Sequence, residues 1–191
     1  MRKKKIAVFA SGNGTNAQKI FEYFQQHEQV AVSLLCCNKS GAPVLDRATK
    51  FGIPTLVFNR KQFYESSLVV EQLMSAEIDL VVLAGFMWLV PENLVKAFEG
   101  RILNIHPALL PKYGGKGMYG MHVHQAVKAA SEKESGITIH QVNSRYDEGD
   151  IIAQFSCPLD PTDSPEDIAK KVQYLEHENY PKVIENLVLK Y

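Results

Sequence analysis

Apolar residues in this chain fall into short unbroken runs separated by amphipathic stretches, and that alternation predicts the architecture. Residues 6–10 (IAVFA) and 80–84 (LVVLA) are apolar at every position, which suits strands covered on both faces by helices. With them, 30–37, 55–58 and 102–105 read as strands. Residues 16–27, 43–51 (closed by Gly52), 66–76 and 91–98 read as the helices between them. After a helix at 124–130, the segments 136–142 and 151–155 alternate in polarity more like antiparallel strands. A last helix starts near Ser164, with Pro165 at its first position and Glu166 and Asp167 in its first turn. The fold class is therefore α/β: a doubly wound, mostly parallel, Rossmann-like sheet with an antiparallel C-terminal part. No repeat, low-complexity tract or linker interrupts the pattern, so 1–191 reads as one domain.

Sheets of this kind bind ligands beyond the carboxyl ends of their strands, so the residues after each strand carry the candidate chemistry. The loop Ser11, Gly12, Asn13, Gly14, Thr15 and Asn16 follows the first strand and opens a helix, a setting in which backbone N–H groups and the helix dipole grip a phosphate. A plain tight turn with Asn16 as the helix cap is the simpler reading. Gly12, Gly14 and Ala17 also half-match a dinucleotide fingerprint. That fingerprint asks for an acid about 20 residues on, where Cys37, Asn38 and Lys39 stand, and Lys39 leaves room only for NADP and an oxidoreductase.

Asn104 and His106 are two apart at the end of a strand, which puts both side chains on one face. A carboxamide N–H that holds an oxyanion, beside an imidazole that moves a proton, makes a compact acyl-transfer site. Such a histidine needs a carboxylate to orient it, and the turn around Asp147, Glu148 and Asp150 offers three. Spacing alone does not choose among them. His122 and His124 invite a metal, but no third ligand at metal-site spacing accompanies them. His27 and His140 read as helix-end and strand residues with no nameable partner. Ser11 is the one loop serine placed to act as a nucleophile, without the sequence context of a nucleophile elbow.

Composition narrows the class. With 191 residues, 46% of them hydrophobic, the chain can bury a substantial core, and 21 basic against 21 acidic residues leave no net field to hold nucleic acid or an anionic membrane. Three cysteines without paired spacing suit a reducing, cytoplasmic setting. The basic start 1–5 is followed by too short an apolar run for a signal peptide, and no stretch approaches the roughly 20 apolar residues of a membrane span.

Several motifs together carry a resemblance. They are 11–16 (SGNGTN), 82–87 (VLAGFM), 103–111 (LNIHPALLP), 147–149 (DEG) and 176–181 (EHENYP), and over 6–187 the chain resembles the phosphoribosylglycinamide formyltransferases, folate-dependent enzymes of purine biosynthesis. The resemblance implies a formyltransferase fold and a catalytic group of Asn104, His106 and Asp147. It implies that Gly14, Thr15 and Asn16 hold the ribose phosphate of phosphoribosylglycinamide, while Glu176 and Gln173 meet its glycinamide end. Met87, Trp88, Leu89 and Val90, with Asn104 and with Asn143, Ser144, Arg145, Tyr146 and Asp147, would line the folate pocket for 10-formyltetrahydrofolate as co-substrate. The implied reaction is direct transfer through a tetrahedral oxyanion, without a metal, by a monomer or homodimer acting on small molecules. In it, Asn104 and a protonated His106 stabilise the oxyanion and Asp147 favours the charged imidazole. Two departures stand out: Trp88 occupies a position that is often Arg in the family, and the loop 112–120 is longer than in many relatives. Related hydrolases and tRNA-directed formyltransferases carry an additional domain.

Overall fold

A computed structural model describes residues 2–191; Met1, the first residue of the basic start, lies outside the described residues. Chain order runs β1 (Lys4–Ala10), α1 (Thr15–Phe24), β2 (Val30–Cys37), α2 (Pro43–Lys50), β3 (Thr55–Val57), α3 (Arg60–Tyr64) and α4 (Leu68–Ser75). It continues with β4 (Leu80–Leu83), α5 (Glu92–Ala97), β5 (Ile102–His106), α6 (Met121–Ala129), β6 (Glu134–Gln141), β7 (Ile151–Pro158) and α7 (Pro165–Val188). The strands form one sheet in the order β3-β2-β1-β4-β5-β6-β7. The first five are parallel, and β6 and β7 join antiparallel, as the alternation in the sequence predicts.

Because side chains alternate across a strand, the sheet divides the core in two. Ile6, Val8, Leu80, Val82 and Leu103 face α1, α2, α6 and α7. Ala7, Phe9, Val81, Leu83 and Ile102 face the other way, against Phe63 of α3, Leu73 of α4 and Leu94 of α5. Strand order reverses between β1 and β4, so a crevice opens at their carboxyl ends.

Several boundaries differ from the sequence reading for local reasons. The five-residue helix α3 is too short to show a period; it is held by a capping box between Asn59 and Gln62. Helix α1 begins at Thr15, not Asn16, and its cap is Gly14 at φ +72°, with no side-chain cap bond. A Cβ on Gly14 would collide with Val44 of α2, so close packing and left-handed backbone both demand glycine there. Helix α7 starts at the expected Pro165 behind a Ser164–Asp167 capping box and continues through Pro181. The buried Tyr180 hydroxyl lies 2.9 Å from the Leu83 carbonyl and 3.2 Å from that of Leu103, tying α7 to the end of β4 and to β5.

Candidate active site

The carboxyl edge holds a cavity of about 610 Å3, within the size range of ligand pockets. Ser11, which the sequence offered as a nucleophile, instead braces its wall. Its buried hydroxyl accepts from the Met87 N–H at 2.9 Å, and its own N–H donates to the Gly85 carbonyl at 3.1 Å. The loop after β1 and the loop after β4 are thereby fixed to one another. Met87, Trp88, Leu89 and Val90 line the cavity beyond this brace. Arg60 stands nearby, its guanidinium 5.8 Å from the Trp88 ring and 5.2 Å from that of Tyr64.

Asn104 and His106 come from β5, and the antiparallel register of β6 sets His140 directly opposite Asn104 and Thr138 opposite His106. Thr138 pins the turn after the strand: its hydroxyl donates to the Ala108 carbonyl at 2.7 Å and accepts from the Leu110 N–H at 2.9 Å. Of the three acids in the turn between β6 and β7, only Asp147 turns inward; Glu148 and Asp150 are exposed, and Glu148 pairs with Arg145. Asp147 sits at φ +55°, a left-handed conformation that Asp tolerates better than most residues. A Cβ on Gly149 would strike the Gln141 carbonyl, so the turn closes tightly onto the end of β6.

Asp147 is shared. Its Oδ2 lies 3.5 Å from His106 Nδ1 and its Oδ1 3.6 Å from His140 Nε2. The loop 112–120 closes over the group: His106 donates from Nε2 to the Tyr113 carbonyl at 2.7 Å, and the Gly115 N–H donates to Asp147 at 2.9 Å. Burial pulls the His106 imidazole below its ordinary pKa, further than Asp147 and the Tyr113 carbonyl raise it, with His140 also lowering it. The ring is therefore neutral at pH 7 in the free protein. In the free protein desolvation outweighs the ion-pair attraction of Asp147. Burial pushes Asp147 upward, but the His140 and His106 rings and the Gly115 N–H outweigh it, so the carboxylate stays ionised.

On the opposite wall, Asn16 of α1 donates to Glu176 of α7 at 2.9 Å, and Gln173 donates to the Thr15 hydroxyl at 3.3 Å. Burial raises the pKa of Glu176 more than this bond lowers it. Asn16, Gln173 and Glu176 line the cavity, as do Arg145 and Tyr146, whereas Gly14, Thr15, Asn143 and Ser144 do not. Asn143 instead shapes the turn, accepting from the Arg145 N–H at 2.8 Å. His122 is exposed while His124 is buried against the cavity, and among the described residues no three His, Cys, Asp or Glu side chains group as metal ligands. His140, which had no nameable partner in the sequence, is central. The signal that could have found it is the matched spacing of Asn104-x-His106 and Thr138-x-His140 on strands that pair antiparallel.

A family profile described as "Formyl transferase" matches residues 4–184. A chloroplastic phosphoribosylglycinamide formyltransferase of Arabidopsis thaliana is 44% identical over 96% of this chain, which spans 65% of the plant protein's length. The phosphoribosylglycinamide formyltransferase of Bacillus subtilis is 39% identical, covering 97% of this chain and 95% of its own. Among solved structures, the phosphoribosylglycinamide formyltransferase of Streptococcus pneumoniae superposes with a TM-score of 0.85 at 38% identity, over 96% of this chain and 98% of that one.

Proposed function

Because this chain belongs to the formyl transferase family, we propose that it moves the formyl group of 10-formyltetrahydrofolate onto the amine of N1-(5-phosphoribosyl)glycinamide, a step of purine biosynthesis. The observation that carries this reading is the convergence of Asn104, His106 and Asp147 at one end of the cavity, opposite the half-buried Glu176 beside the phosphate-type loop. The cavity also fits a flat, largely apolar co-substrate along Met87, Trp88, Leu89 and Val90.

The Tyr113 carbonyl occupies the place of an acceptor oxygen on His106 Nε2–H. A formyl oxygen taking that place would meet Nε2–H and the Asn104 carboxamide together. As the amine attacks, the new C–N bond forms and the carbonyl π pair moves onto oxygen, where these two donors hold it. His106 first takes a proton from the attacking amine and so becomes the imidazolium; it then gives a proton to the departing folate nitrogen, and the carbonyl re-forms as the old C–N bond breaks. Asp147 stabilises the imidazolium that exists during this relay. Glu176 accepts hydrogen bonds from the glycinamide end and orients the nucleophile.

The test is direct. Purified protein with both substrates and excess chelator should yield formylated nucleotide by mass spectrometry together with free tetrahydrofolate. Absence of product, with NADPH but not a folate analogue raising the melting temperature, would replace this reading with an oxidoreductase.

A further inference from the structure

We propose that His140 is a positioning residue for this reaction: it holds the Asn104 carboxamide in the one orientation that offers an N–H to the oxyanion. The proposal rests on the formyl-transfer reading above. Its geometry stands without it.

His140 is 2% exposed, and its Nδ1 lies 2.8 Å from the Gln141 carbonyl. A carbonyl can only accept, so Nδ1 carries a proton. A ring with that one proton leaves Nε2 as a lone pair, 3.1 Å from the Asn104 side-chain amide and, at 3.6 Å, beyond hydrogen-bond reach of Asp147. The only donor on that amide is nitrogen, so the nitrogen end must face His140. One of its two hydrogens is spent on the ring and the other is left for a substrate oxygen. The cross-strand pairing of Asn104 with His140 sets this contact through backbone register, with no loop involved.

The same logic gives a second state. The ionisable groups facing His140 are Asp147, 3.6 Å from its Nε2, and His106, which shares that carboxylate. A proton on Nε2 would pair with Asp147 and oppose the Asn104 N–H, two donors facing each other. The carboxamide would have to turn its oxygen to the ring and withdraw its hydrogen from the cavity. One carboxylate serving two imidazoles favours one imidazolium at a time.

Two measurements test this. Long-range proton–nitrogen NMR on the labelled parent protein near pH 7 should find His140 protonated at Nδ1 and bare at Nε2; an Nε2-protonated or doubly protonated ring overturns the proposal. His140→Leu removes the acceptor and should lower kcat at least about thirtyfold with both KM values within about threefold, as expected when a transition-state donor is misaimed. His140→Gln offers an oxygen to the same amide and should recover at least about tenfold of that loss. A defect confined to KM, or Gln no better than Leu, overturns the positioning role. Should the Leu variant fail to fold, the NMR result on the parent decides. A wrong tautomer removes the positioning role and leaves formyl transfer standing, whereas absent transfer activity removes the reading beneath it, so the two failures are distinguishable.

Discussion

The Tyr113 carbonyl lies 2.7 Å from Nε2 of His106, so the loop over the cavity satisfies the same ring nitrogen that a substrate oxygen would engage. Two acceptors flank the ring, and the neutral ring donates to one of them: the loop carbonyl takes the Nε2 proton, while the Asp147 carboxylate stands 3.5 Å from Nδ1. The buried imidazole is thus held in one orientation before any substrate arrives. That preorganisation is what makes each member of the group costly to remove.

Asn104→Ala, His106→Ala and Asp147→Ala are each expected to lower kcat at least about 100-fold with near-parental melting temperatures, because each acts mainly in the transition state. Combining any two should cost much less than the product of the single effects. Glu148→Ala and Asp150→Ala serve as controls, since both side chains point to solvent. A severe Asp150 variant beside a mild Asp147 variant would reassign the carboxylate. Steady-state kinetics and circular dichroism check these outcomes.

Gly14→Ala tests the anion loop. The new Cβ meets Val44 and the backbone stays at φ +72°, so stability should drop by about 1–2 kcal/mol. Affinity for the phosphorylated substrate should fall at least about tenfold, with folate affinity little changed. Adding Val44→Ala should relieve the collision but leave the backbone strain, recovering only part of the stability. An equal loss of both ligands would mean general misfolding.

Glu176→Gln keeps the shape and removes the charge of a carboxylate that is buried against Asn16. The nucleotide substrate should bind at least about tenfold more weakly, roughly 1.4 kcal/mol, with folate affinity near parental. Glu178→Gln alters an exposed residue paired with Lys182 at 3.6 Å and should change neither. Calorimetric titration of the two variants decides whether α7 meets substrate or is only structural.

Burial lowers the pKa of both His106 and His124 below the ordinary value of 6.5. The unfolded chain therefore binds protons more readily than the folded one as pH falls through that value, and stability is lost in step. Their contribution is complete above 6.5 and disappears as pH drops through the lower folded values. Asp147, held below the carboxylate range, adds a separate loss only in strong acid. Melting temperature should decline between about pH 7 and pH 5, and His124→Gln should flatten that decline. An unchanged slope would mean that His124 does not titrate on unfolding.

The chain's own patterning determined the α/β class. Runs such as 80–83 are apolar on both faces and can be buried only between helices, whereas the alternation in 151–158 suits an edge strand with one wet face. The same patterning placed Asn104 and His106 on one side of a strand end, because a strand's period of two is a local property. What pairs across strands is not local. His140 and Thr138 became site residues only through the antiparallel register of β5 and β6. Asp147 was separated from Glu148 and Asp150 by a left-handed turn closing on Gly149, which no spacing rule encodes. Glu176 reached the cavity because Tyr180 moors α7 to the end of β4 and to β5, through contacts between residues 97 and 77 positions apart. Even the charge of His106 was a tertiary matter: the sequence supplied a carboxylate to raise its pKa, and only the packed fold supplied the burial that lowers it further.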